Sequence, residues 1–430
     1  MGEIKPVELD EYAPDRWGLS EEGVARIGEE LYEHWQRYQK HFTTRTRDTS
    51  EQAYHHLRGQ LTMESRRNFA HMEERIAGGD GQGMQHFMSN SPWSGRRVLE
   101  QMQQEICEAV GETPGGVAIL DESADEKAGT KSAGASRQHN GRQGKIGLCQ
   151  VATCLSYANE AMGLWTLLDG ELFLPETWFD DGHTDLREKL GIPEDRGFET
   201  KPQLGLKMIA RAKAAGVPFD RVACDELYGR GNNFRKTLDS WDLRYAAQVP
   251  ATTQVYVNQP RVGIPKPSKR KSSRKPKRLK VISRQPPLAV RDIAANAHTL
   301  WQHVKVRPTE RGWLDADFAV LRIWTVASGC LARSEWLVIR REHDGDCQYT
   351  LLNDPESTPT SVLIHASCQR CWVERTFQDA KSELGWDEFQ AQKYLAWEHH
   401  FALTALALWF IAQVKLRWIT QHPRDPALCE

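Results

Sequence analysis

Arg370, Glu374 and Lys381 are residues whose types and spacing could do chemistry together. On an α-helix of 3.6 residues per turn they fall within roughly 40° of one another, and neither Pro nor Gly interrupts the segment. A carboxylate flanked by two cations could hold a metal ion beside a phosphate. The same spacing also produces an i, i+4 ion-pair ladder on a solvated helix face. These three residues could therefore form a chemical site only if carboxylates from elsewhere in the chain lie beside them.

Two further carboxylates stand where apolar strands are predicted to end. Residues 116–121 form a short apolar run that closes on Asp121, and residues 217–225 form another that closes on Asp225. Strand ends place side chains at the rim of a sheet, where ligands commonly bind. Together with Glu374 these carboxylates would repel one another unless divalent cations, such as Mg²⁺, lay between them. Two ions about 3.5–4 Å apart could activate an attacking hydroxyl and stabilise the leaving oxygen of an in-line displacement.

Acidic neighbours offer alternatives to both aspartates. Glu122 and Asp125 compete with Asp121, and Glu226 competes with Asp225. Because side chains alternate along a strand, Glu122 should point away from the face of Asp121, which favours Asp121. Any one of the carboxylates could equally cap a helix or pair with a surface arginine. Capping or surface pairing is a weak explanation for three carboxylates that stand together at predicted strand ends and on a predicted helix.

The elements that must position these residues follow from the hydrophobic period. Helices are predicted at 21–39, 51–61, 65–76 and 95–110. From Gly115 the pattern changes to strands at 116–121, 146–157 and 161–168, a helix at 202–214, a strand at 217–225, a helix at 234–241 and a strand at 244–249. The order is βββ-α-β-α-β. Strands at 318–326 and 335–340 and helices at 359–384 and 393–418 complete the prediction.

The helices before residue 110 allow two interpretations. Arg66, Arg67, Arg96 and Arg97 stand near predicted helix starts. The helices could form a small bundle with a solvated basic face, or a DNA-binding head. No segment stands out as a recognition helix.

Positive charge is concentrated in one part of the chain. The formal net charge is −2, yet residues 251–350 contain 19 Lys and Arg against 8 Asp and Glu, a local net charge of +11. Residues 265–278 form a low-complexity basic loop of the kind that contacts phosphates. The DNA-binding candidates within it are Lys269, Arg270, Lys271, Arg274 and Lys275.

Cysteine usage and apolar length suggest a compartment. Nine cysteines follow no regular framework, which favours reduced intracellular thiols. Cys368 and Cys371 form a lone CxxC that we interpret as helix positions rather than a metal knuckle. The longest apolar stretch, 401–414, is too short for a bilayer and predicts a buried core helix. The N-terminus lacks an apolar signal region. We expect a cytoplasmic protein without a membrane partner.

Three blocks of sequence resemble bacterial insertion-sequence transposases of the DDE class, in the branch marked by a Y-x2-R-x3-E-x6-K signature. Residues 121–145 are similar to that family's D-[DE]-[TS]…K-x-G-x-x-S…R-Q-Y-x-G-x-x-G-K block, and residues 223–229 resemble its A-D-x-x-Y-G. The segment from Arg370 to Asp387 supplies the third block. The resemblance runs from about Tyr38 to Trp418, and the joint match is specific where each block alone is weak.

The resemblance implies an α/β fold, with a ribonuclease-H-like catalytic core, a β-rich insertion and an N-terminal helical DNA-binding domain. A chain of 430 residues is long enough for about two or three domains. The implied division is an N-terminal extension (1–22), the helical DNA-binding domain (23–112), the first part of the core (113–250), the basic and β-rich insertion (251–356) and the C-terminal helices of the core (357–430).

The implied activity is cleavage at transposon ends, followed by joining of 3′-hydroxyls to target DNA. Asp121, Asp225 and Glu374 would be the catalytic ligands of two Mg²⁺ ions, with Mn²⁺ as an alternative ion. The implied partners are double-stranded DNA, both terminal inverted repeats and target, and a second copy of the chain in a synaptic homodimer. The implied phosphate contacts are Arg370, Lys381, Lys127, Arg137 and Lys145.

The chain also departs from the family pattern. Ser367 stands where the signature has Tyr, His139 replaces the Tyr of R-Q-Y, and Ala128 replaces one Lys of a K-K-G. Two other functions remain alternatives. One is a non-catalytic, transposase-derived DNA-binding protein or repressor; the other is a structure-specific nuclease of the same fold.

Overall fold

The computed structural model describes residues 21–45, 47–76, 82–141, 144–266, 277–309, 312–388 and 390–421. The helices are α1 (Glu21–Phe42), α2 (Ser50–Thr62), α3 (Phe69–Arg75), α4 (Gln82–Ser89), α5 (Gly95–Val110), α6 (Thr184–Leu190), α7 (Lys201–Ala214), α8 (Glu226–Gly229), α9 (Asn232–Ser240), α10 (Val290–Ala294), α11 (Thr360–Cys368), α12 (Cys371–Gln378) and α13 (Tyr394–Gln421). The strands are β1 (Gly116–Glu126), β2 (Ser136–Asn140), β3 (Lys145–Asn159), β4 (Leu164–Phe173), β5 (Arg221–Cys224), β6 (Arg244–Gln248), β7 (Gln254–Val255), β8 (Val262–Gly263), β9 (Lys280–Val281), β10 (Leu288–Ala289), β11 (Gln302–Thr309), β12 (Gly312–Val326), β13 (Ala332–Arg341) and β14 (Cys347–Leu352).

A ten-stranded mixed sheet organises the α/β fold. Its order is β11-β12-β13-β14-β6-β5-β1-β3-β2, and β4 also pairs with β3. The pairs β1–β5 and β5–β6 are parallel, whereas β3 is antiparallel to β1, β2 and β4. The predicted order βββ-α-β-α-β is present in β1, β3, β4, α7, β5, α9 and β6, with β2 as an additional hairpin strand. The parallel pairs place the C-terminal end of β5 beside Leu120, in the middle of β1.

Strands β11 to β14 of the β-rich stretch between the second aspartate and Glu374 extend this sheet, whereas β7 with β10 and β8 with β9 form two small separate sheets. The last strand of the stretch, β14, pairs antiparallel with β6 through Thr350–Gln248, Leu351–Ala247 and Leu352–Ala246. Strands β11 to β13 follow outward from β14 as antiparallel neighbours. The sheet therefore connects the basic part of the chain to the strands that carry Asp121 and Asp225.

One apolar core contains the N-terminal helices, the C-terminal helix and one face of the sheet. Phe42 of α1, Leu57 of α2, Met102 of α5 and Trp409 of α13 are fully buried in it together with Leu155 of β3. Burial of such side chains stabilises each by about 1.5–3 kcal/mol relative to exposure. The helices before residue 110 thus pack directly against the sheet and α13.

Helix α13 confirms the prediction of a buried core helix at 401–414. Over Tyr394–Thr420 it is long and apolar enough to cross a membrane by length and composition alone. Phe401, Leu403, Leu406 and Trp409, however, are nearly inaccessible within the protein core. Packing in the core therefore accounts for the apolar composition of this helix without a membrane.

Several predicted boundaries were wrong for local reasons. The helix at 65–76 is shorter, because Asn68 caps α3 by accepting a hydrogen bond from the backbone N–H of His71 at 3.2 Å. The strand at 161–168 lies instead at Leu164–Phe173, after a 3₁₀ turn at Glu160–Met162. Helix α4 was missed, although Met84, Phe87 and Met88 bury one face at helical spacing.

The single helix predicted for 359–384 was also wrong, because the chain forms α11, α12 and a π-helical turn at Asp379–Glu383. At the break, the amides of Trp372 and Val373 donate to the carbonyls three residues earlier, which tightens the chain locally. Just before it, Ser367 Oγ donates to the Ile364 carbonyl at 2.7 Å. Side-chain bonds of this kind compete with the helical ladder and bend helices. The break places Arg370 at the start of α12.

Candidate active site

Asp121 and Asp225 lie side by side at the edge of the sheet. The parallel register of β1 and β5 ends at Leu120 paired with Cys224, and each aspartate is the next residue. Strand β1 does not end there as predicted, because its pairing with β3 continues to Glu126. Asp225 does end its strand, and its side chain caps α8 by accepting from the amide of Leu227 at 3.0 Å.

Arg370 joins the edge of the sheet to Glu374. Its Nη1 donates to Asp121 Oδ2 at 2.5 Å, and its Nη2 donates to Glu374 Oε1 at 2.6 Å. The Arg370 and Asp121 side chains are 23% and 16% exposed, whereas Glu374 is 64% exposed. One guanidinium therefore bridges a half-buried carboxylate on the sheet and a solvated carboxylate on α12.

The electrostatics of the site show how closely its charges are placed. Burial raises the pKa of Asp121 to about 6; Arg370 opposes this, and the charges of Asp225 and Glu374 add to it. Burial also raises the pKa of Asp225, with the charge of Glu122 as the next contribution. The Arg370 pKa is raised despite burial, because all three carboxylates favour its charged form. Extra positive charge at this edge would stabilise the ionised aspartates.

The rival carboxylates have ammonium partners of their own. Glu122 Oε2 accepts from Lys201 Nζ of α7 at 2.9 Å, and Asp125 is bound by Lys127. Burial raises the pKa of both carboxyl groups, and the neighbouring lysines oppose that shift. Pairing with Lys201 on α7 gives Glu122 a partner other than Arg370, although its charge still raises the pKa of Asp225. The structure thus brings Asp121, rather than its neighbours, to Arg370.

Lys381 does not continue the spacing of Arg370 and Glu374, because α12 passes directly into the π-helical turn at Asp379–Glu383 that contains it. Its Nζ is 5.8 Å from the ring centroids of both Phe377 and Trp386. It lines a small cavity of about 20 Å³ with Asp125 and Asp387. Its charge also lowers the pKa of Asp125, although less than burial raises it. Of the three residues expected on one face of a regular α-helix, Arg370 and Glu374 form an ion pair.

The remaining DNA-binding candidates occupy different environments. The Lys127 side chain is only 9% exposed and is paired with Asp125. Arg137 and Lys145 are exposed on the β2–β3 hairpin. Lys269, Arg270, Lys271, Arg274 and Lys275 lie outside the described residues.

The carboxylates at this site are of the type that binds divalent cations, but in this structure Asp121 and Glu374 bind Arg370. Asp121, Asp225 and Glu374 supply the hard oxygen ligands that Mg²⁺ prefers. Within the described ranges, no group of three or more His, Cys, Asp or Glu side chains is arranged to hold a metal ion. Asp121 Oδ1 accepts from the Glu122 amide at 2.8 Å, and Oδ2 accepts from Arg370. The carboxylate oxygens are of the type that binds a divalent cation, and in this structure Arg370 lies against Asp121 Oδ2.

Two contacts are of the purely structural kind that a single carboxylate could make, namely a helix cap or an ion pair with an arginine. Asp225 caps a helix, and Asp121 pairs with an arginine. Arg370 also binds Glu374 of α12, which distinguishes this cluster from an isolated ion pair.

Sequence reasoning missed two positions around the site. Lys201, which holds Glu122, opens α7 beside Pro202, and only its place at a helix start could have drawn attention to it. Arg307 of β11 donates to Cys371 Sγ at the start of α12. No local pattern connects residues that lie 64 positions apart in the chain.

Comparison with known proteins identifies a matching family, and among the similar proteins are one sequence and one solved structure. Residues 37–312 match the family described as DDE superfamily endonuclease, a range that contains Asp121 and Asp225 and ends before Glu374. The probable transposase for insertion sequence element IS701 of Microchaete diplosiphon is 26% identical over 322 residues, covering 74% of this chain and 71% of that protein. The cryo-EM structure of a piggyBac transposase synaptic complex with hairpin DNA aligns with a TM-score of 0.39 and 10% identity, over 94% of this chain and 74% of that one.

Proposed function

The chain belongs to the DDE superfamily endonucleases, and on this premise we propose that it is a DNA transposase. It cleaves the ends of its own element and joins the freed 3′-hydroxyls to target DNA. The observation that carries the proposal is that Arg370 binds both Asp121 and Glu374 at the edge of the sheet, beside Asp225, whose charge also raises the Arg370 pKa.

Asp121, Asp225 and Glu374 are the proposed ligands of divalent metal ions, which enzymes of this family use. We take the ions to be two Mg²⁺, with Mn²⁺ able to replace them. When bound, two such ions supply activation of the attacking hydroxyl and stabilisation of the leaving oxygen. The protein fixes two ligands on neighbouring strands and brings the third on α12. The raised pKa of Asp121 supports this role, because a buried carboxylate gains more from a nearby cation than a solvated one does.

Arg370 has two positions in this proposal. Without DNA, it compensates the charges of Asp121 and Glu374. With DNA in place, its guanidinium turns to a phosphate, for which its forked donors are well suited. This movement frees Asp121 Oδ2. Lys381 then remains as a second cation near the site, beside Asp125 and Asp387.

The proposed partner is double-stranded DNA, both the element's terminal inverted repeats and the target. The local charge of residues 251–350, 19 Lys and Arg against 8 Asp and Glu, supports this partner. Arg137 and Lys145 add exposed cations on the β2–β3 hairpin. Two element ends are processed together by a homodimer in a synaptic complex, in the cytoplasm of the bacterial host.

The strands around the site support a ribonuclease-H-like core. In the order β4-β3-β1-β5-β6, two antiparallel pairs are followed by two parallel pairs. Strands β11 to β14 form the proposed insertion. The helices from α1 to α5 form the proposed DNA-binding part, although they also share the core with α13.

Incubation with a labelled duplex that carries the DNA flanking its own gene tests this function. We expect cuts at the element's end with Mg²⁺ and none with EDTA. Equal cutting of branched DNA without terminal repeats would identify a structure-specific nuclease instead. Stable binding without cutting in either Mg²⁺ or Mn²⁺ would identify a DNA-binding protein that has kept the fold.

A further inference from the structure

The orientation of α12 determines where Glu374 lies. The packing of α12 against the sheet fixes only part of this orientation. Helix α12 has eight residues and is separated from α11 by the break at residues 369–370. Val373 packs against Val117 and Ile119 of β1 and Ala223 of β5. Glu374 itself is largely solvated. Contacts on the outer face are therefore needed to stop so short a helix from rotating on the sheet.

Two stacked indoles provide the first of these contacts. Trp372 of α12 stacks on Trp165 of β4, with ring centroids 5.2 Å apart and an interplanar angle of 20°. Trp165 Nε1 donates to Asp379 Oδ2 at 2.7 Å, just beyond the end of α12. On this side, Lys415 Nζ of α13 lies 3.5 Å from the centroid of the Trp165 ring. The stack ties α12 to strand β4 and to α13.

Arg307 of β11 provides the contact on the other side of Trp372. Its Cζ lies 5.2 Å from the centroid of the Trp372 ring, and its Nη2 lies 2.9 Å from Cys371 Sγ. Arg307, Trp372, Trp165 and Lys415 therefore form a column in which two indoles lie between two cations. We call this set the indole column. It runs from the outermost strand of the sheet to the C-terminal helix and contacts the first turn of α12.

We propose that Arg307 is a positioning residue that sets the orientation of α12, and with it the place of Glu374. The planar guanidinium stacks on an indole and donates from its edge at the same time, which a lysine ammonium does not do. Arg307 contacts two consecutive residues, Cys371 and Trp372, immediately before the turn that carries Glu374. Arg307 lies on β11, within the basic and β-rich insertion. It therefore also links the insertion to the helix that carries Glu374. The effect on Glu374 rests on the proposed function; the effect on α12 does not.

Amide hydrogen exchange on the metal-free, DNA-free protein tests the positioning directly. In Arg307→Met we expect exchange of the α12 amides, residues 373–378, to accelerate roughly 2- to 5-fold, the loss expected for one cation–π contact. Arg307→Lys should recover only part of the protection. The matched control is Arg341→Met, because Arg341 also lies over an indole, 4.0 Å from the Trp301 centroid, but without contacting α12. Exchange at wild-type rates in Arg307→Met, or equal acceleration in both variants, would overturn the proposal.

Kinetics on the same variants separate this inference from the proposed function. If wild-type protein cleaves DNA, Arg307→Met should lower kcat with the KM for DNA nearly unchanged, and should raise the Mg²⁺ concentration for half-maximal rate. A kcat equal to that of wild type, despite faster exchange, would overturn the link to Glu374. If wild-type protein cleaves nothing, the proposed function fails, while the exchange result still decides whether Arg307 positions α12.

Discussion

Arg370 Nη1 and Asp121 Oδ2 lie 2.5 Å apart, although the two residues are separated by 249 positions in the chain. The contact neutralises the carboxylate whose pKa burial raises to about 6. It also occupies the oxygen that a metal ion would need. Arg370 and a divalent cation should therefore compete for Asp121.

Replacing Arg370 with alanine tests this competition. We expect Mn²⁺ binding without DNA, followed by electron paramagnetic resonance, to tighten by roughly 10-fold, since a hydrogen bond to a charged group is worth about 1.5–3 kcal/mol. DNA cleavage should nevertheless fall, because the phosphate contact is lost as well. Arg291→Ala is the control, as Arg291 lies on α10 and pairs with Asp292. Unchanged or weaker Mn²⁺ binding in Arg370→Ala would show that the arginine does not compete with the metal.

The buried ion pair between Arg221 and Asp354 should be important for stability. Arg221 begins β5, and its Nη1 and Nη2 donate to the two Asp354 carboxylate oxygens at 2.8 and 2.7 Å. The side chains are 6% and 0% exposed. Arg221→Met leaves a buried carboxylate whose other ion pair among the described residues is the 4.0 Å contact with Arg244. We expect the free energy of unfolding, measured with urea, to fall by about 3–5 kcal/mol.

The exposed pair between Arg291 and Asp292 is the comparison for that measurement. Both side chains are 61% exposed. Surface pairs of this kind contribute about 0–1 kcal/mol, so Arg291→Met should leave the unfolding midpoint nearly unchanged. Equal losses in the two variants would mean that burial does not set the contribution of the Arg221–Asp354 pair.

Acid should destabilise the protein through His400. Burial lowers its pKa to about 4, and its Nε2 lies 3.1 Å from the Trp386 carbonyl oxygen. The folded-state pKa is below the unfolded value of about 6.5, so the unfolded chain binds the proton first. Stability from this group is complete above about pH 6.5 and falls as the pH drops towards 4. Between pH 7 and pH 5 the loss should be about 2 kcal/mol.

The measurement compares wild type with His400→Gln, since Asp121 and Glu398, with pKa values raised to about 6 and 7, act in the opposite direction. The variant should lose about 2 kcal/mol less than wild type between pH 7 and pH 5. His343→Gln is the control, because Asp315 raises the pKa of His343. Identical pH profiles for wild type and His400→Gln would contradict the assignment.

Neutralising the basic segment at residues 266–280 should flatten the salt dependence of DNA binding. Each phosphate contact contributes about 0.9 to the slope of log K against log salt concentration on duplex DNA. Metal binding should not change, because the segment contributes none of the proposed ligands. Fluorescence anisotropy at several salt concentrations gives the slope. A slope equal to that of wild type would make the segment a solvated linker.

The sequence predicted the strand-end aspartates because their positions depend on local pattern. Each apolar run is a buried strand, and each aspartate follows the last residue of the β1–β5 pairing, although β1 itself continues to Glu126. The helix at Gly95–Val110 was predicted at its observed bounds, because Ser94 caps its start and Gly111 ends it.

Long-range contacts set the features that the sequence did not predict. The extension of the sheet by β14 depends on pairing with β6 across about 100 residues, which no window of sequence shows. The break before α12 follows from a side-chain bond of Ser367 and from packing on both faces of that helix. The Arg370–Asp121 contact likewise required the tertiary structure.

The central claim is that three carboxylates at the sheet edge perform metal-dependent DNA cleavage. Asp225→Asn tests it most directly, with Glu226→Gln as the control, because Glu226 is the adjacent, exposed carboxylate. Both variants should bind the element's end DNA like wild type in an anisotropy assay. With Mg²⁺, Asp225→Asn should cleave that DNA at least about 100-fold more slowly than wild type, and Glu226→Gln should cleave it at nearly the wild-type rate. Cleavage by Asp225→Asn at the wild-type rate would contradict the account.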